Sequence, residues 1–387
     1  MIGLNKHTNF YERVLSHTVI SVKSHNAHCR ARRLDAPFGS RFHDAVPTGG
    51  TSSGRALQKA VHQQIPIPPP VYNIYRKGVR SMSIDQLQMK IRKMKNPTMV
   101  GIDPILERIP EALRREAFAA HGETLRGAAE AYRTFSCGIL DALNGLVPAV
   151  KIQTGCFQAL GHDGMAAMEE VTAYAREKGY YVLLDTMRGD IDVTAQALAA
   201  SCFGQIQVGS QTYTPFASDG VIINAYLGSD GIKPFTQYCR QGKNVFILAR
   251  TSNKSAREIQ DMISGDRIVH QVIMDLAMRW SVDLYGKSGY SEIGVAVAGT
   301  QPQLLKSLRA KYDRLFFLVP GYGAQGANGR DVQYAFDKAG HGAVVAAGRS
   351  ILYAYEKFGG DGADYQARAV KAAEMMRNNI LTYVTVL

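Results

Sequence analysis

Short apolar runs alternate with longer segments of helical periodicity from about residue 95 to the end of the chain. This alternation is typical of buried parallel strands joined by crossover helices. The eight runs are Thr98–Asp103, Val147–Gln153, Tyr180–Met187, Gly220–Tyr226, Asn244–Thr251, Glu292–Gly299, Arg314–Gly321 and His341–Gly348. Eight strand–helix units favour a closed (β/α)₈ TIM barrel, an α/β fold, with an open doubly wound sheet as the alternative. The helical segments include Gly164–Lys178, Ile268–Tyr285 and, outside the barrel, Ala363–Asn379.

The first 81 residues differ from the rest of the chain in composition. Residues 1–80 contain 12 Lys or Arg and 3 acidic residues, and so carry +9 of the net charge of +12. A Gly/Ser patch at Thr48–Gly54 is followed by the run Ile65–Pro70, whose prolines cannot continue a helix. We therefore predict a basic leader over residues 1–81, disordered or not translated, and a barrel over residues 82–387.

Three explanations of this leader stay open. Translation could instead start at Met82, where MSIDQLQMKIRKM begins an amphipathic helix. The Arg-rich, acid-poor composition also fits an organellar transit peptide. A basic tail that binds nucleic acid is the third explanation.

Several protein classes are disfavoured by the sequence. No run of about 18 apolar residues predicts a transmembrane helix, and the N-terminus lacks the apolar core of a secretory signal peptide. The five cysteines, Cys29, Cys137, Cys156, Cys202 and Cys239, form no CxxC pair. A disulfide scaffold or a zinc ribbon is therefore not supported, and a reducing, cytoplasmic location is expected.

Polar and charged residues cluster where the predicted strands end. Active sites of (β/α)₈ barrels lie at the carboxyl ends of the strands, so these positions are candidates for function. In chain order they are Asp103, Lys151, Gln153, Asp185, Met187, Asn224, Arg250, Thr251, Ser252, Gly299, Gly321, Gly348 and Arg349. Any one of them could be a helix cap or a solvated strand end, but their recurrence at most strand ends favours a common site.

The segment LLDTMRGDID carries the strongest local signal. Because side chains alternate along a strand, we expect Asp185 and Met187 on one face and Thr186 and Arg188 on the other. The loop that follows contains Asp190.

Two carboxylates as close in sequence as Asp185 and Asp190 need a cation between them or a proton on one of them. Lys151 from the preceding strand and Arg188 are the cations near at hand. Asp190 or Asp192 could alternatively cap the next helix.

Glycine-rich elements follow the last two predicted strands. The segment PGYGAQGANG, Pro320–Gly329, can expose backbone N–H groups, and GRS places Arg349 at the opening of a helix. Barrels of this class often bind phosphate at these two strands through backbone amides and a helix N-terminus. The two elements together predict a phosphate site.

Residues 96–380 resemble orotidine 5′-phosphate decarboxylases, particularly the longer bacterial type. The blocks that carry the resemblance are VGIDP (Val100–Pro104), VKIQ (Val150–Gln153), ARTSN (Ala249–Asn253), VPGYGAQG (Val319–Gly326) and GRSILYAY (Gly348–Tyr355). They occur in the family's order, and the resemblance as a whole covers about three quarters of the chain. The resemblance leaves the leader unexplained.

The resemblance implies roles in substrate binding for matched positions. Asp103 would hold the ribose hydroxyls, and Ser252 would read the pyrimidine ring. Gln325 and Arg349 would hold the phosphate, and Thr194 is a further substrate-binding position. The implied phosphate loop includes Gly323, Gly326 and Gly348.

The same resemblance implies a catalytic group formed by Lys151, Asp185, Asp190 and the residue at position 187. Lys151 would contact the sugar and steady the carboxylates, and Asp185 would face the substrate carboxylate. Asp190 would reach into the neighbouring subunit's site, since family members work as homodimers joined at the barrel mouths. No metal and no organic cofactor is implied.

Position 187 departs from the family pattern. The family signature is Asp-x-Lys-x-x-Asp, whereas this chain reads DTMRGD from Asp185 to Asp190, with Met187 at the lysine position. The lysine is expected to neutralise the two acids and to protonate the carbon that loses carbon dioxide. A thioether carries neither a charge nor a transferable proton. Loss of a positioned general acid typically costs about 10²–10⁴ in rate.

The leading hypothesis is a carboxy-lyase that makes UMP from orotidine 5′-phosphate in pyrimidine biosynthesis, with activity impaired by Met187. An alternative is a paralogue of little or no activity that binds UMP or orotidine 5′-phosphate and serves as a sensor or partner protein. Another phosphate-binding barrel enzyme, such as a sugar-phosphate decarboxylase, is a third hypothesis. A nucleic-acid-binding function would rest on the leader alone.

Overall fold

The computed structural model describes residues 83–387. The predicted leader, residues 1–81, and the candidate start Met82 lie outside the described residues. The boundary between leader and barrel stays a prediction.

Eight parallel strands close into a barrel, as the sequence predicts. In their order around the barrel they are β1 (Thr98–Ile102), β12 (Ala343–Ala347), β11 (Phe317–Pro320), β10 (Ile293–Val297), β7 (Asn244–Arg250), β6 (Gly220–Ile223), β3 (Tyr181–Arg188) and β2 (Ala149–Gln153). Seven of the predicted apolar runs contain one of these strands in full, and the run Tyr180–Met187 contains β3 except for its last residue, Arg188. Closure excludes the open doubly wound sheet.

Two short hairpins lie outside the barrel. They are formed by β4 (Ile206–Val208) with β5 (Gln211–Tyr213), and by β8 (Ile263–Ser264) with β9 (Arg267–Ile268). The first precedes β6 and the second follows β7 in the chain, and the periodicity of the sequence predicts neither.

Helices connect the strands of the barrel and cover its outside. The α-helices within residues 83–387 are α1 (Ser83–Met94), α2 (Glu111–His121), α3 (Leu125–Leu143), α4 (Thr154–Gln158), α5 (Gly161–Glu177), α6 (Asp192–Phe203), α7 (Ser229–Cys239), α8 (Val269–Trp280), α9 (Pro302–Lys311), α10 (Gly329–Val332), α11 (Arg349–Leu352) and α12 (Tyr365–Leu381). The predicted helical segments correspond to α1, α5, α8 and α12, with ends displaced by a few residues. None of the helices in the described part of the chain is long and apolar enough to cross a membrane.

The strands are buried along most of their length because the helices shield them outside and their own side chains fill the barrel inside. All five residues of β1, β10 and β12 are buried. At β3 the pattern changes, since Tyr181–Asp185 are buried whereas Met187 and Arg188 are exposed. The core therefore ends part-way along β3 and leaves the carboxyl ends of the strands free for polar side chains.

Helix α1 closes the amino-terminal end of the barrel. The backbone N–H of Ile84 donates to both carboxylate oxygens of Glu292, each at 3.2 Å. The hydroxyl of Ser83 donates to Tyr181 Oη at 3.1 Å. Burial raises the pKa of Glu292 well above its ordinary value, although the bond from Ile84 opposes that rise. Since Glu292 immediately precedes β10, this end lies opposite the strand ends that carry the candidate site.

Candidate active site

The carboxyl ends of the strands surround one cavity that contains most of the predicted site residues. Those that line it are Asp103, Lys151, Asp185, Met187, Ser252, Gln325, Gly348 and Arg349. They follow or end strands β1, β2, β3, β7, β11 and β12, which are far apart in sequence. Closure of the barrel is therefore what brings them together.

A buried lysine joins two carboxylates at the base of this cavity. Lys151 Nζ lies 2.9 Å from Asp103 Oδ1 and 2.9 Å from Asp185 Oδ2. Lys151 is 9% exposed and Asp185 is 2% exposed. Burial alone lowers the pKa of Lys151, but the two carboxylates outweigh it and hold the pKa above its ordinary value. The lysine is therefore a fixed cation, and its charge is shared between the ends of β1 and β3.

One carboxylate oxygen of Asp185 has a partner and the other has none within residues 83–387. Its Oδ2 accepts from Lys151 and also from Gln153 Nε2 at 3.1 Å. Its Oδ1 is buried and has no hydrogen-bond partner among residues 83–387. A buried carboxylate oxygen without a partner is costly. Because Asp185 lines the cavity, this carboxylate contributes a negative charge at its base.

Met187 lies beside Asp185 on the same side of β3, as the alternation of side chains predicts. Both line the cavity, whereas Thr186 and Arg188 line a separate small cavity on the other side of the strand. The strand is irregular here, because its register against β6 shifts between Asp185 and Arg188. Met187 has a φ of 48° and is 48% exposed. The irregularity, which alternation alone does not predict, presents an uncharged thioether at the mouth.

Asp190 and Thr194 do not line the cavity of this single chain. Asp190 lies 3.5 Å from Arg188 through its Oδ2, and its Oδ1 accepts from the backbone N–H of Ile191. Thr194 is exposed on α6. Asp185 and Asp190 are therefore each paired with a different predicted cation, Lys151 and Arg188.

The alternative that Asp190 or Asp192 caps the next helix is wrong. The residue at the N-cap of α6 is Ile191, and its side chain makes no capping hydrogen bond. Asp192 is the first residue of the helix and has a φ of 48°. The two acidic side chains are thus not used as caps in this structure.

The end of β7 is held by Gln260 and Asp261, two residues that the sequence patterns did not single out. Arg250 is 4% exposed and bonds to Asp261 through two nitrogens, at 2.8 and 2.9 Å. The backbone N–H of Thr251 donates to Gln260 Oε1 at 2.8 Å. The hydrogen bond from Arg250 lowers the pKa of Asp261. These contacts fix the strand end that carries Ser252.

An arginine within an apolar strand run predicts an acidic partner in the folded chain. The sequence does not identify which acidic residue this partner is. Asp261 lies in the long connection between β7 and α8, together with the hairpin β8–β9. Its pairing with Arg250 becomes visible only in the folded chain.

The glycine loop, residues 321–329, folds on itself. The N–H of Gly323 donates to the carbonyl of Ala327 and that of Gly326 to the carbonyl of Gly323, both at 2.9 Å. Gly321, Gly323 and Gly326 have positive φ angles of 108°, 72° and 99°, a region that favours glycine. Gly323 and Gly326 do not line the cavity. Their amides are used inside the loop, so these two glycines shape it rather than face a ligand.

Gln325 and Arg349 are the polar side chains that the last two strands bring to the cavity. Both residues are exposed, and within the described residues Arg349 forms no ion pair. Arg349 begins the short helix α11 directly after Gly348. A Cβ at Gly348 would overlap Asp103 Oδ2. This position therefore needs glycine so that β12 can approach the carboxylate bound to Lys151.

Comparison with known proteins identifies the family of this chain. A model of the orotidine 5′-phosphate decarboxylase / HUMPS family matches residues 133–357, more than half of the chain. The chain belongs to this family. The matched range includes Lys151, Asp185, Met187, Gln325 and Arg349.

Individual members of the orotidine 5′-phosphate decarboxylase family extend the match. The chain is 35% identical to the orotidine 5′-phosphate decarboxylase of Petrotoga mobilis over 295 residues, which are 75% of this chain and 96% of that protein. It is 35% identical to the enzyme of that name from Rhodopirellula baltica over 253 residues, 65% of this chain and 82% of that protein. Asp103, which precedes the range matched by the family model, lies within the longer span that such relatives share with the chain.

Solved structures give the same family. The OMP decarboxylase of Leishmania donovani superimposes with a TM-score of 0.58 at 25% identity, covering 78% of this chain and 99% of that chain. The UMP synthase of the same organism gives a TM-score of 0.60 at 27% identity, covering 78% of this chain and 57% of that chain.

Within residues 83–387, no cluster of three or more His, Cys, Asp or Glu side chains could hold a metal ion. The absence of a cofactor, which the resemblance implies, stays a prediction. The charged side chains that line the cavity include those of Asp103, Lys151 and Asp185.

Proposed function

We propose that this chain is a carboxy-lyase that converts orotidine 5′-phosphate to UMP in pyrimidine biosynthesis. The observation that carries the proposal is the Asp103–Lys151–Asp185 group in the same cavity as Gln325 and Arg349. The cavity thus offers a fixed pattern of charges together with donors for a phosphate. Family membership supplies the substrate class, because the compared relatives bear the name orotidine 5′-phosphate decarboxylase.

Binding uses groups from several strand ends in this proposal. Gln325 and Arg349 hold the phosphate, and Asp103 accepts from the ribose hydroxyls while Lys151 keeps it in place. Ser252, at the end of β7, faces the pyrimidine ring. Binding energy from phosphate and ribose, which do not react, then becomes available for distortion and desolvation at the ring.

The chemical step breaks the bond between a pyrimidine ring carbon and its carboxylate. The electron pair stays on the ring carbon, carbon dioxide leaves, and a proton takes its place. In this proposal the buried Asp185 faces the substrate carboxylate, so its charge disfavours the substrate and not the neutral pyrimidine ring of the product. Met187 cannot deliver the proton, because a thioether has none to give. The donor is therefore water or a group other than residue 187.

The proposal is tested by incubating the purified full chain with orotidine 5′-phosphate and following its ultraviolet absorbance. We expect slow conversion to UMP, identified by chromatography, and competitive inhibition by UMP. The matched control is Arg349→Gln, which we expect to raise the KM through loss of the phosphate contact. Binding of neither nucleotide would contradict the proposal.

None of the comparisons supports the alternative of a binding paralogue that acts as a sensor or partner. That alternative requires UMP binding without measurable turnover at any enzyme concentration. The same assay therefore separates the two functions.

We also propose that the chain works as a homodimer joined at the barrel mouths. Large apolar side chains are exposed around the mouth, which is unusual for a surface that stays in water. They are Met187, Ile191, Val193, Tyr226 and Leu227. A Cβ at Gly189 would lie 3.7 Å from Leu227 Cδ1, so the loops after β3 and β6 are adjacent. Asp190 does not line the cavity of its own chain. It lies on this surface, where it can contact a second copy of the chain.

Val193→Asp is expected to convert the dimer to a monomer and to reduce activity strongly, because a buried unpaired charge would be placed between the subunits. Sedimentation velocity gives the mass of each form. Val193 is 75% exposed in the single chain. The matched control is Val282→Asp, since Val282 is 61% exposed and follows α8 at the opposite end of the barrel. A wild-type protein that sediments as a monomer at every concentration would contradict the dimer.

A cytoplasmic location is likewise a proposal. It is supported by Cys137, Cys156, Cys202 and Cys239, which are all free thiols in the structure. Burial raises the pKa of Cys137 and of Cys156 to about 11, so both are thiols rather than reactive thiolates at neutral pH. Fractionation of the source cells, with an antibody to the barrel, tests the location.

A further inference from the structure

One side chain outside the cavity is bonded to both ends of the glycine loop. Asn379 lies on α12, the last helix of the chain. Its Oδ1 accepts from the hydroxyl of Tyr322 at 2.9 Å and from the backbone N–H of Gly329 at 2.7 Å. Tyr322 is near the start of the loop and Gly329 is its last residue. A single amide oxygen thus bridges the two ends.

The loop between these two points behaves as one unit. Its own backbone bonds tie Gly323 to Ala327 at 2.9 Å and Ala327 to Gly321 at 3.2 Å. Gln325 lies at the tip of this unit and lines the cavity. Because the interior of the loop is bonded to itself, its position relative to the cavity depends on how its ends are held.

Asn379 is on a rigid support. The face of α12 that carries it also carries Met376 and Ile380, both of which are buried in the core. The helix packs directly on the end of the loop, since a Cβ at Gly329 would overlap the backbone carbonyl of Asn379. Because Gly329 has no Cβ, the helix can lie close enough for the Gly329 N–H to donate to the Asn379 side chain. Groups held on packed helices keep a more exact geometry than groups on loops.

We propose that Asn379 is a positioning residue for phosphate recognition: it holds the glycine loop, and with it Gln325, in the place where the substrate phosphate binds. It does so through Tyr322 and Gly329 without itself lining the cavity. This inference rests on the proposed function, since it takes the loop to be the phosphate site. It extends that site to a helix at the far end of the chain.

The test is Asn379→Ala in the full chain, with calorimetric binding of UMP and of uridine as the two readouts. Two neutral hydrogen bonds are lost, so we expect UMP affinity to fall by about 10- to 100-fold. Affinity for uridine, which lacks the phosphate, is expected to change by less than about twofold. Loss of a merely structural residue would weaken both ligands alike.

Asn378→Ala is the matched control, because Asn378 is exposed on the same turn of α12 and bonds to Arg377 rather than to the loop. It is expected to bind both ligands as the unmodified chain does. Tyr322→Phe removes one of the two bonds to Asn379 without altering the helix. It is expected to weaken UMP by about 3- to 10-fold, so the inference stays testable if Asn379→Ala does not fold.

Equal loss of UMP and uridine affinity in Asn379→Ala, or no loss of either, would overturn the inference. If UMP binds and the unmodified chain shows no turnover, the binding test still decides the role of Asn379, whereas the proposed catalysis fails by itself. If the unmodified chain binds no UMP, the proposed function and this inference both fail.

Discussion

Replacing Met187 by lysine is expected to raise kcat for orotidine 5′-phosphate by about 10²–10⁴-fold, the usual contribution of a positioned general acid. The new ammonium group would enter the cavity beside Asp185, whose Oδ1 has no partner among residues 83–387. It would supply both the cation and the proton that a thioether lacks. The measurement is a paired assay of absorbance change on the two full-length proteins.

The backbone allows this exchange. Position 187 has a φ of 48°, a region that is strained for residues with a Cβ, and most of all for β-branched ones. Methionine and lysine are both unbranched at Cβ and similar in length, so the strain is the same before and after the change. Met187 is also 48% exposed, so there is space at this position for the ammonium group of a lysine.

Met187→Leu is the matched control, since it changes the shape of the side chain without adding a charge or a proton. We expect it to keep the rate of the unmodified chain and the same affinity for UMP. High turnover by the Met187 protein, unchanged on replacement by lysine, would contradict the expectation. It would show that another group in the cavity delivers the proton.

The barrel could be predicted from the sequence because its signal is local. Each buried strand is a short apolar run such as Ala343–Ala347, and each run is followed by a helix or a turn. The positions of Asp103, Lys151 and Asp185 in the site then follow from the topology, because all strand ends of a closed parallel barrel meet at one mouth. No contact between these residues had to be known in advance.

Other parts of the site depend on contacts between residues that have no characteristic spacing. Asp261 is bonded to Arg250, 11 residues away across a loop, and Asn379 is bonded to Gly329, 50 residues away. The irregularity of β3 at Met187 is likewise visible only in its pairing with β6, whose register shifts between Asp185 and Arg188. Periodicity and motif spacing carry no information about such contacts, and so they emerge only from the folded chain.

Replacing Lys151 by methionine is expected to lower the free energy of unfolding by about 3–5 kcal/mol, because it leaves Asp103 and Asp185 without their shared cation in a buried place. Decarboxylation should be abolished as well, since the charges at the base of the cavity are no longer fixed. Urea unfolding at neutral pH, followed by circular dichroism, gives the stability difference directly.

The pH dependence of this difference has a definite sign. The pKa of Lys151 is raised in the folded chain, so its contribution is fully present below the unfolded value of about 10.4 and is lost only as pH rises beyond it. The gap between the two proteins should therefore be constant between about pH 6 and pH 9. It should begin to close only in strongly alkaline solution.

Lys233→Met is the matched control for this change. Lys233 is 73% exposed on its side chain and lies 3.6 Å from Asp230, an exposed pair of the kind that contributes about 0–1 kcal/mol. Asp185→Asn added to Lys151→Met should recover part of the lost stability, since it removes one uncompensated charge. If Lys151→Met costs no more than Lys233→Met, the buried group does not stabilise the barrel. The folded state would then retain Lys151 for catalysis alone, and its loss would appear in kcat without a change in stability.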